Sequence, residues 1–344
     1  MKIGIVGLPN VGKSSLFNLL TNAGAEAQPY PFTTIDANHG MAVLSDSVLT
    51  ELGNLFKPKK LTFAQIEVVD IAGLIKDAHK GEGLGNKFLG HIRDVDLIIH
   101  LIRSFENNSI PHVFESIDSK RDVDIILSEL ALADLEITER RLQKQKKRSN
   151  VKEEVALLDN YHRLLSSGHF NLNGSFSDAD KIFLKSLGLL IPRPRIDICN
   201  FADTANALSF NYPECYRLSV SLEEGISEFS NSEKEQLRAE IGVDVHGLEG
   251  ILEEARKKLG LIRFYTVKGD EVRAWLIKEG STALEAAEKI HADIAAGFIK
   301  TEVVRAEDLI ACGSWLESAN QGKMKIEGKD YLVQDRDVLL IKFR

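Results

Sequence analysis

A chain of 344 residues with net charge −8, 44% hydrophobic and 27% charged residues is long enough for two or three domains and ordinary for a folded protein. The acidic balance excludes coating of nucleic acid by the whole surface and leaves room only for a local basic patch. No apolar run approaches the ~18 residues of a membrane span, the N-terminus does not read as a signal peptide, and Cys199, Cys215 and Cys312, without metal-ligand spacing, are expected as free thiols in a reducing compartment.

Residues 1–6 read as a buried strand, and Gly7-Leu8-Pro9-Asn10-Val11-Gly12-Lys13-Ser14 follows it with the spacing of a phosphate-binding loop. Residues 15–20 read as the first turns of a helix. A strand, a glycine loop and a helix start gather backbone N–H groups and the positive helix end around one anion. In that setting Lys13 reaches the β- and γ-phosphates and the Ser14 hydroxyl holds Mg2+. Tyr30-Pro31-Phe32-Thr33-Thr34 supplies a loop threonine for the same ion, Thr34 by preference and Thr33 as the alternative. Ile66-Glu67-Val68-Val69-Asp70 reads as a strand ending in Asp70-Ile71-Ala72-Gly73. The Asp70 carboxylate there binds Mg2+ directly or through water, and the Gly73 N–H approaches a γ-phosphate because no Cβ stands in the way. Lys80-Gly81-Glu82-Gly83-Leu84-Gly85 is dense in glycine, as a nucleotide-sensing switch requires.

Residues 96–102 form another short β-branched run. The period then changes: Ile126, Leu130, Ala133 and Ile137 make one stripe of a long helix, and Val151, Val155 and Leu158 repeat the spacing. Between the stripes lie Arg140, Arg141, Lys144, Lys146, Lys147 and Arg148. They suit a solvated helix end and a contact with RNA phosphates equally well. Arg195-Ile196-Asp197-Ile198-Cys199 and Tyr216-Arg217-Leu218-Ser219-Val220 resume the strand pattern, so the helical hairpin reads as an insertion. Further on, residues 262–267 and 272–277 suggest a hairpin, Thr282 and Glu285 a capping box opening a helix over 283–296, and 331–333 with 338–341 a second hairpin.

The fold class expected is α/β: a P-loop nucleotide-binding domain over 1–120 and 195–258, an inserted α-helical hairpin over 121–194 with a basic end, and a small β-grasp-like domain over 261–344. The set of motifs resembles the Obg-related translation-factor GTPases and, within them, is similar to the YchF family, the branch known for using ATP. The residues carrying the likeness are 7–15, 30–36, 70–74, 81–88, Phe105-Glu106-Asn107, Val272-Arg273-Ala274-Trp275 and 322–331, so it spans nearly the whole chain. The resemblance implies that the C-terminal part is a TGS domain and that the partner is the ribosome or ribosomal RNA, met through the hairpin and that domain. It implies a cytoplasmic nucleoside-triphosphate hydrolase and switch in translation-linked or stress regulation, with no membrane and no specific DNA. The nucleotide is held by Asn10, Val11, Gly12, Lys13, Ser14, Ser15, Asn200, Phe201, Asp203 and Ser219, and the metal by Ser14, Thr34 and Asp70.

Base choice falls to Asn200-Phe201-Ala202-Asp203. Guanine-specific relatives use Asn-Lys-x-Asp, and YchF proteins carry Asn-x-x-Glu. Phe201 removes the lysine and favours ATP, whereas Asp203 is the acid of a guanine reader and keeps GTP open. Asn200 touches the base or braces the phosphate loop; Phe105 packs near the base or in the core. Leu74 stands where many switch GTPases place a water-orienting glutamine, so unaided turnover is expected to be slow. Lys13 and Gly73 are the expected stabilisers of the reacting phosphate, Asn10 is expected to help hold K+, and His112 is the candidate to swing toward the γ-phosphate. The alternative reading is a GTP-specific switch with negligible unaided turnover, acting mainly as a nucleotide-gated binding module.

Overall fold

The computed structural model describes residues 1–22, 39–71, 92–107, 109–114, 116–145, 152–172, 174–202, 215–244 and 246–344. Thr33, Thr34, Gly73, Leu74, the glycine-dense run from Lys80, Lys146, Lys147, Arg148 and Asp203 lie outside the described residues. The chain packs as two units, one built chiefly from Met1–Leu19 and Glu67–Leu248, the other from Met41–Ile66 and Glu249–Arg344.

The first unit centres on a six-stranded sheet in the order β2-β4-β1-β5-β6-β7. Its strands are β1 (Lys2–Val6), β2 (His39–Val43), β4 (Gln65–Asp70), β5 (Leu97–Ser104), β6 (Arg195–Phe201) and β7 (Tyr216–Leu218), while β3 (Lys60–Thr62) belongs to the other sheet. β4, β1, β5, β6 and β7 run parallel. Every residue of β5 is buried, as a central strand covered on both faces must be. Val220, expected in a strand, instead opens the helix Val220–Gly225, because the buried Ser219 caps it: its Oγ accepts the Leu222 N–H at 3.3 Å.

Between β5 and β6 lie the helices Ser119–Gln145, Lys152–Ser166 and Asp178–Ser186. The first carries the stripe Ile126, Leu130, Ala133 and Ile137, and the second carries Val155 and Leu158, while Val151 lies outside the described residues. These two helices are tied at Asp134, fully buried, whose carboxylate accepts the Tyr161 hydroxyl at 2.6 Å and the Leu190 and Ile191 N–H groups at 2.8 and 2.9 Å. Burial pushes this carboxyl up to about 6, against the pull of those three donors.

The cysteines correct the expectation of free thiols. Cys199 and Cys215 form a disulfide with Cα atoms 6.0 Å apart, and only Cys312 is free. Their 16-residue separation concealed this; β6 and β7 are neighbours, and the pairing of Ile198 with Tyr216 brings the two side by side.

The second unit holds a six-stranded sheet in the order β11-β10-β12-β8-β9-β3. β8 (Leu261–Lys268) and β9 (Glu271–Lys278) form the expected hairpin around Gly269, whose φ of +63° suits a residue without Cβ. The capping box of Thr282 and Glu285 is present, but the helix stops at Ile290. His291 is extended, with φ −166°, and a second short helix, Ala292–Ala296, begins after it. The expected second hairpin does not form. β12 (Asp337–Phe343) pairs antiparallel with β10 (Phe298–Arg305), a strand the sequence reading missed, and parallel with β8. The stretch 331–333 is left with a single bridge from Leu332 to Thr282. β11 (Lys325–Glu327) lines the edge beside β10.

Both faces of this sheet are covered. One packs Phe264, Ile277, Val303 and Ile341 against Ala286 and Ala287. The other packs Tyr265, Val272 and Val304 against Leu49 and Leu52 of the helix Ser47–Phe56 and Leu309 of the helix Ala306–Cys312. The same excursion of the chain adds β3 as a parallel sixth strand along β9, with Thr62 Oγ1 donating to Glu271 at 2.6 Å and Lys59 paired with Asp270 at 2.7 Å. Asp46 caps the helix through the Leu49 N–H and accepts the Tyr265 hydroxyl at 3.0 Å.

Candidate nucleotide-binding site

The loop after β1 wraps a volume that side chains would fill. A Cβ on Gly7 would stand 2.4 Å from the Leu101 carbonyl oxygen, and one on Gly12, at φ +101°, would stand 2.9 Å from Asn200 Nδ2. Asn10 adopts φ 61°, a left-handed turn that asparagine tolerates. The helix Lys13–Asn22 starts directly at the end of this loop, so its free N–H groups and positive dipole end face the cradle. Lys13 Nζ donates to the Leu8 carbonyl at 2.9 Å. Burial lowers its pKa and the nearby Asp70 opposes that shift. A half-buried ammonium held by a carbonyl is placed to exchange it for a phosphate oxygen, which restores the favoured charge state.

Ser14 and Asp70 meet as expected: Ser14 Oγ donates to Asp70 Oδ2 at 2.9 Å. Asp70 Oδ1 is buried with no hydrogen-bond partner among the described residues. A buried carboxylate oxygen in that state costs roughly 1–3 kcal/mol, and a divalent cation beside a serine hydroxyl removes the cost. The donor set, a hydroxyl and a carboxylate, is hard and oxygenic, which suits Mg2+.

Asn200 is the brace of the loop. It is buried, its Nδ2 donates to the Val11 carbonyl at 2.9 Å, and its Oδ1 accepts the Val220 N–H at 3.0 Å. Both ends of the amide are therefore occupied by protein. Strand alternation sends the next side chain the other way. Phe201 is buried beneath the Arg217 guanidinium, 4.7 Å from the ring centroid. Ser219 is next to Val220 in the chain and serves its helix cap, while Ser15 lies in the first turn of the helix Lys13–Asn22.

The loop after β5 touches the cradle from another side. Asn10 Nδ2 donates to the Pro111 carbonyl at 3.1 Å. The neighbouring His112 side chain is turned into a pocket of its own. Its Nε2 lies 3.0 Å from Asp122 Oδ2 and its Nδ1 2.8 Å from the Phe114 carbonyl. Phe105 packs under the Arg103 guanidinium at 4.5 Å. The structure thus brings Asn10, Val11, Gly12, Lys13, Ser14, Asp70 and Asn200 together, while the His112 ring is held by Asp122 and Phe201 lies under Arg217. Two side chains that the sequence reading passed over shape this region, Arg103 and Asp122. A charge in the otherwise apolar run Leu97-Ile98-Ile99-His100-Leu101-Ile102-Arg103 was the available signal for the first.

A parallel sheet with this loop, its lysine, and a serine–aspartate pair defines a P-loop nucleotide hydrolase of the switch-GTPase class. Two family models match: MMR_HSR1, described as "50S ribosome-binding GTPase", over residues 2–148, and YchF-GTPase_C, described as "Protein of unknown function (DUF933)", over residues 261–344. The chain is 38% identical to the "Ribosome-binding ATPase YchF" of Bacillus subtilis, over 99% of this chain and 98% of that protein. The protein of the same name from Escherichia coli O157:H7 is 37% identical, with 99% of each chain covered. The solved structure of the Schizosaccharomyces pombe YchF GTPase superposes with a TM-score of 0.87 at 31% identity, covering 99% of this chain and 97% of that one. The chain belongs to the YchF family.

Proposed function

We propose that this chain is a Mg2+-dependent nucleoside-triphosphate hydrolase and switch that takes ATP before GTP and binds the ribosome in the cytoplasm. The observation that carries the reading is the buried Asp70 Oδ1, without a hydrogen-bond partner among the described residues, beside Ser14 at the mouth of the phosphate cradle. Ser14 and Asp70, with Thr34 or else Thr33, are the proposed holders of Mg2+, which when bound neutralises charge on the β- and γ-phosphates. Lys13 leaves the Leu8 carbonyl for the phosphates, the N–H groups of Val11, Gly12, Lys13, Ser14 and Ser15 line the cradle, and the Gly73 N–H meets the γ-phosphate. Asn200 keeps the loop in shape, with Phe201, Asp203 and Ser219 near the base.

Leu74 cannot hydrogen-bond water, so turnover is slow until another group aims it. His112 is the proposed group, and in that role it must exchange Asp122 for the attacking water. Asn10 is proposed to help hold K+. The relatives named ribosome-binding support a ribosomal partner. The proposed contact uses the basic end, where Arg140 and Lys144 are exposed, together with Lys146, Lys147, Arg148 and the TGS-like C-terminal domain, and it places the chain in translation-linked or stress regulation.

The test is a competition titration of ATP against GTP, followed by turnover with and without ribosomes and K+. Tighter binding of ATP and ribosome-stimulated release of phosphate are expected. Tighter binding of GTP, with turnover that stays negligible beside ribosomes, would instead establish a nucleotide-gated binding module. His112→Ala with unchanged stimulated turnover removes His112 from the mechanism.

A further inference from the structure

Arg103 ends β5 as one of the largest fully buried side chains of the molecule, 1% exposed. A buried guanidinium is costly unless its five donors are used. Here Nε and Nη2 are used, on backbone alone, while Nη1 is buried without a hydrogen-bond partner among the described residues. Nε donates to the Phe105 carbonyl at 3.1 Å, and Nη2 to the Asn107 and Ile110 carbonyls at 3.3 and 3.0 Å. The guanidinium also lies 4.5 Å over the Phe105 ring. Its own carbonyl accepts the Ser119 hydroxyl at 3.1 Å, at the first residue of the helix Ser119–Gln145. One side chain therefore gathers three carbonyls spread over six residues of a loop, and its backbone pins the helix that follows.

The loop so gathered reaches the phosphate cradle through Pro111 and Asn10. In the sheet register Arg103 stands opposite Asn200, the residue that braces the cradle at Val11. Adjacent strands thus deliver two braces to one loop: β6 directly by a side chain, and β5 indirectly through the segment that Arg103 folds. A buried charge spent on loop carbonyls holds that segment in one arrangement, since releasing it leaves the buried cation unpaired.

We propose that Arg103 is a positioning residue for nucleotide hydrolysis, setting the loop of residues 105–112 against Asn10 so that the phosphate cradle keeps its reactive geometry. The proposal rests on the hydrolytic reading of the cradle. It concerns the rate of the chemical step rather than nucleotide affinity, because the hydrogen bonds described for Arg103 go to Phe105, Asn107, Ile110 and Ser119 and not to Lys13 or Ser14.

The test is single-turnover hydrolysis by the full chain, beside direct measurement of ATP binding. Arg103→Met is expected to lower the rate by about tenfold or more while the Kd for ATP changes by less than about threefold. Arg103→Lys, which keeps the charge but cannot span three carbonyls, is expected to recover less than half of the lost rate. Because both residues act through the same loop, adding Asn10→Ala to either variant is expected to slow it little further. A rate within about twofold of the unsubstituted chain, full recovery by lysine, or effects that multiply with Asn10→Ala would each overturn the proposal. If the methionine variant does not fold, the lysine variant carries the comparison. Lys13→Ala separates the two ideas: if it hydrolyses normally, the reading of the cradle fails whatever Arg103 does.

Discussion

The two sheets of this chain have six strands each and are put together in opposite ways. In the first, β4, β1, β5, β6 and β7 run parallel. All of their C-terminal ends therefore open on one edge. The phosphate loop after β1, Asp70 at the end of β4, the loop after β5 and Asn200 near the end of β6 meet there without further design. In the second sheet β10, β12, β8 and β9 alternate between antiparallel and parallel neighbours. Their ends scatter, both faces are apolar, and the edge strand β11 carries Ile326, more than half exposed. Strand direction, not strand number, decides which sheet gathers chemistry.

The sharpest way to break that contrast is to substitute each sheet and read turnover. Lys13→Ala is expected to lower hydrolysis by about 100-fold or more, measured as phosphate release. Trp275→Phe in the second sheet is expected to leave unaided turnover within about twofold, and a large loss there would mean that the chemistry is not confined to the parallel edge. Next in size is stability. Leu49 is fully buried against the second sheet, so Leu49→Ala is expected to cost about 2–5 kcal/mol in chemical denaturation. An unchanged midpoint would show that the excursion does not support that sheet.

A smaller effect sits in the helices. The Asp134 carboxyl, raised to about 6 in the fold, keeps a proton there that the unfolded chain gives up near pH 4. Its contribution is therefore full below about pH 4 and is lost as the pH rises through about 6. Asp134→Asn is expected to flatten the fall in denaturation midpoint across that window, and an unaltered slope would assign the pH dependence elsewhere. The smallest effect concerns the basic end. Replacing Arg140, Arg141 and Lys144 by glutamine is expected to weaken ribosome co-sedimentation and to flatten its salt dependence by up to about one logarithmic unit per lost phosphate contact. Co-sedimentation that keeps its salt slope would place the contact on another surface.

Much of the first sheet was legible because its signals are local. The phosphate loop, the strand ending at Asp70 and the helical stripes each depend on residues a few positions apart. What stayed hidden depends on partners far away. Residues 331–333 have the composition of a strand, but the hydrogen bonds β12 needs come from β10 and β8. The Cys199–Cys215 pair is evident only once β6 and β7 are neighbours. Arg103 was overlooked because its partners are carbonyl oxygens, which no residue letter displays.

The segment between β2 and β4 has a consequence for how this protein can be cut and inherited. The recognisable C-terminal family unit is 261–344, but the body that folds also takes in Met41–Ile66. A fragment beginning at Glu249 would leave the flank of β9 without its partner β3, and Tyr265, Val272 and Leu309 without Leu49 and Leu52. Such a fragment presents a bare strand edge beside an apolar face, the combination that drives chains to aggregate. Recombination could not transplant this module as one contiguous exon-like piece. Its two parts must travel together, with the nucleotide-binding strands threaded between them.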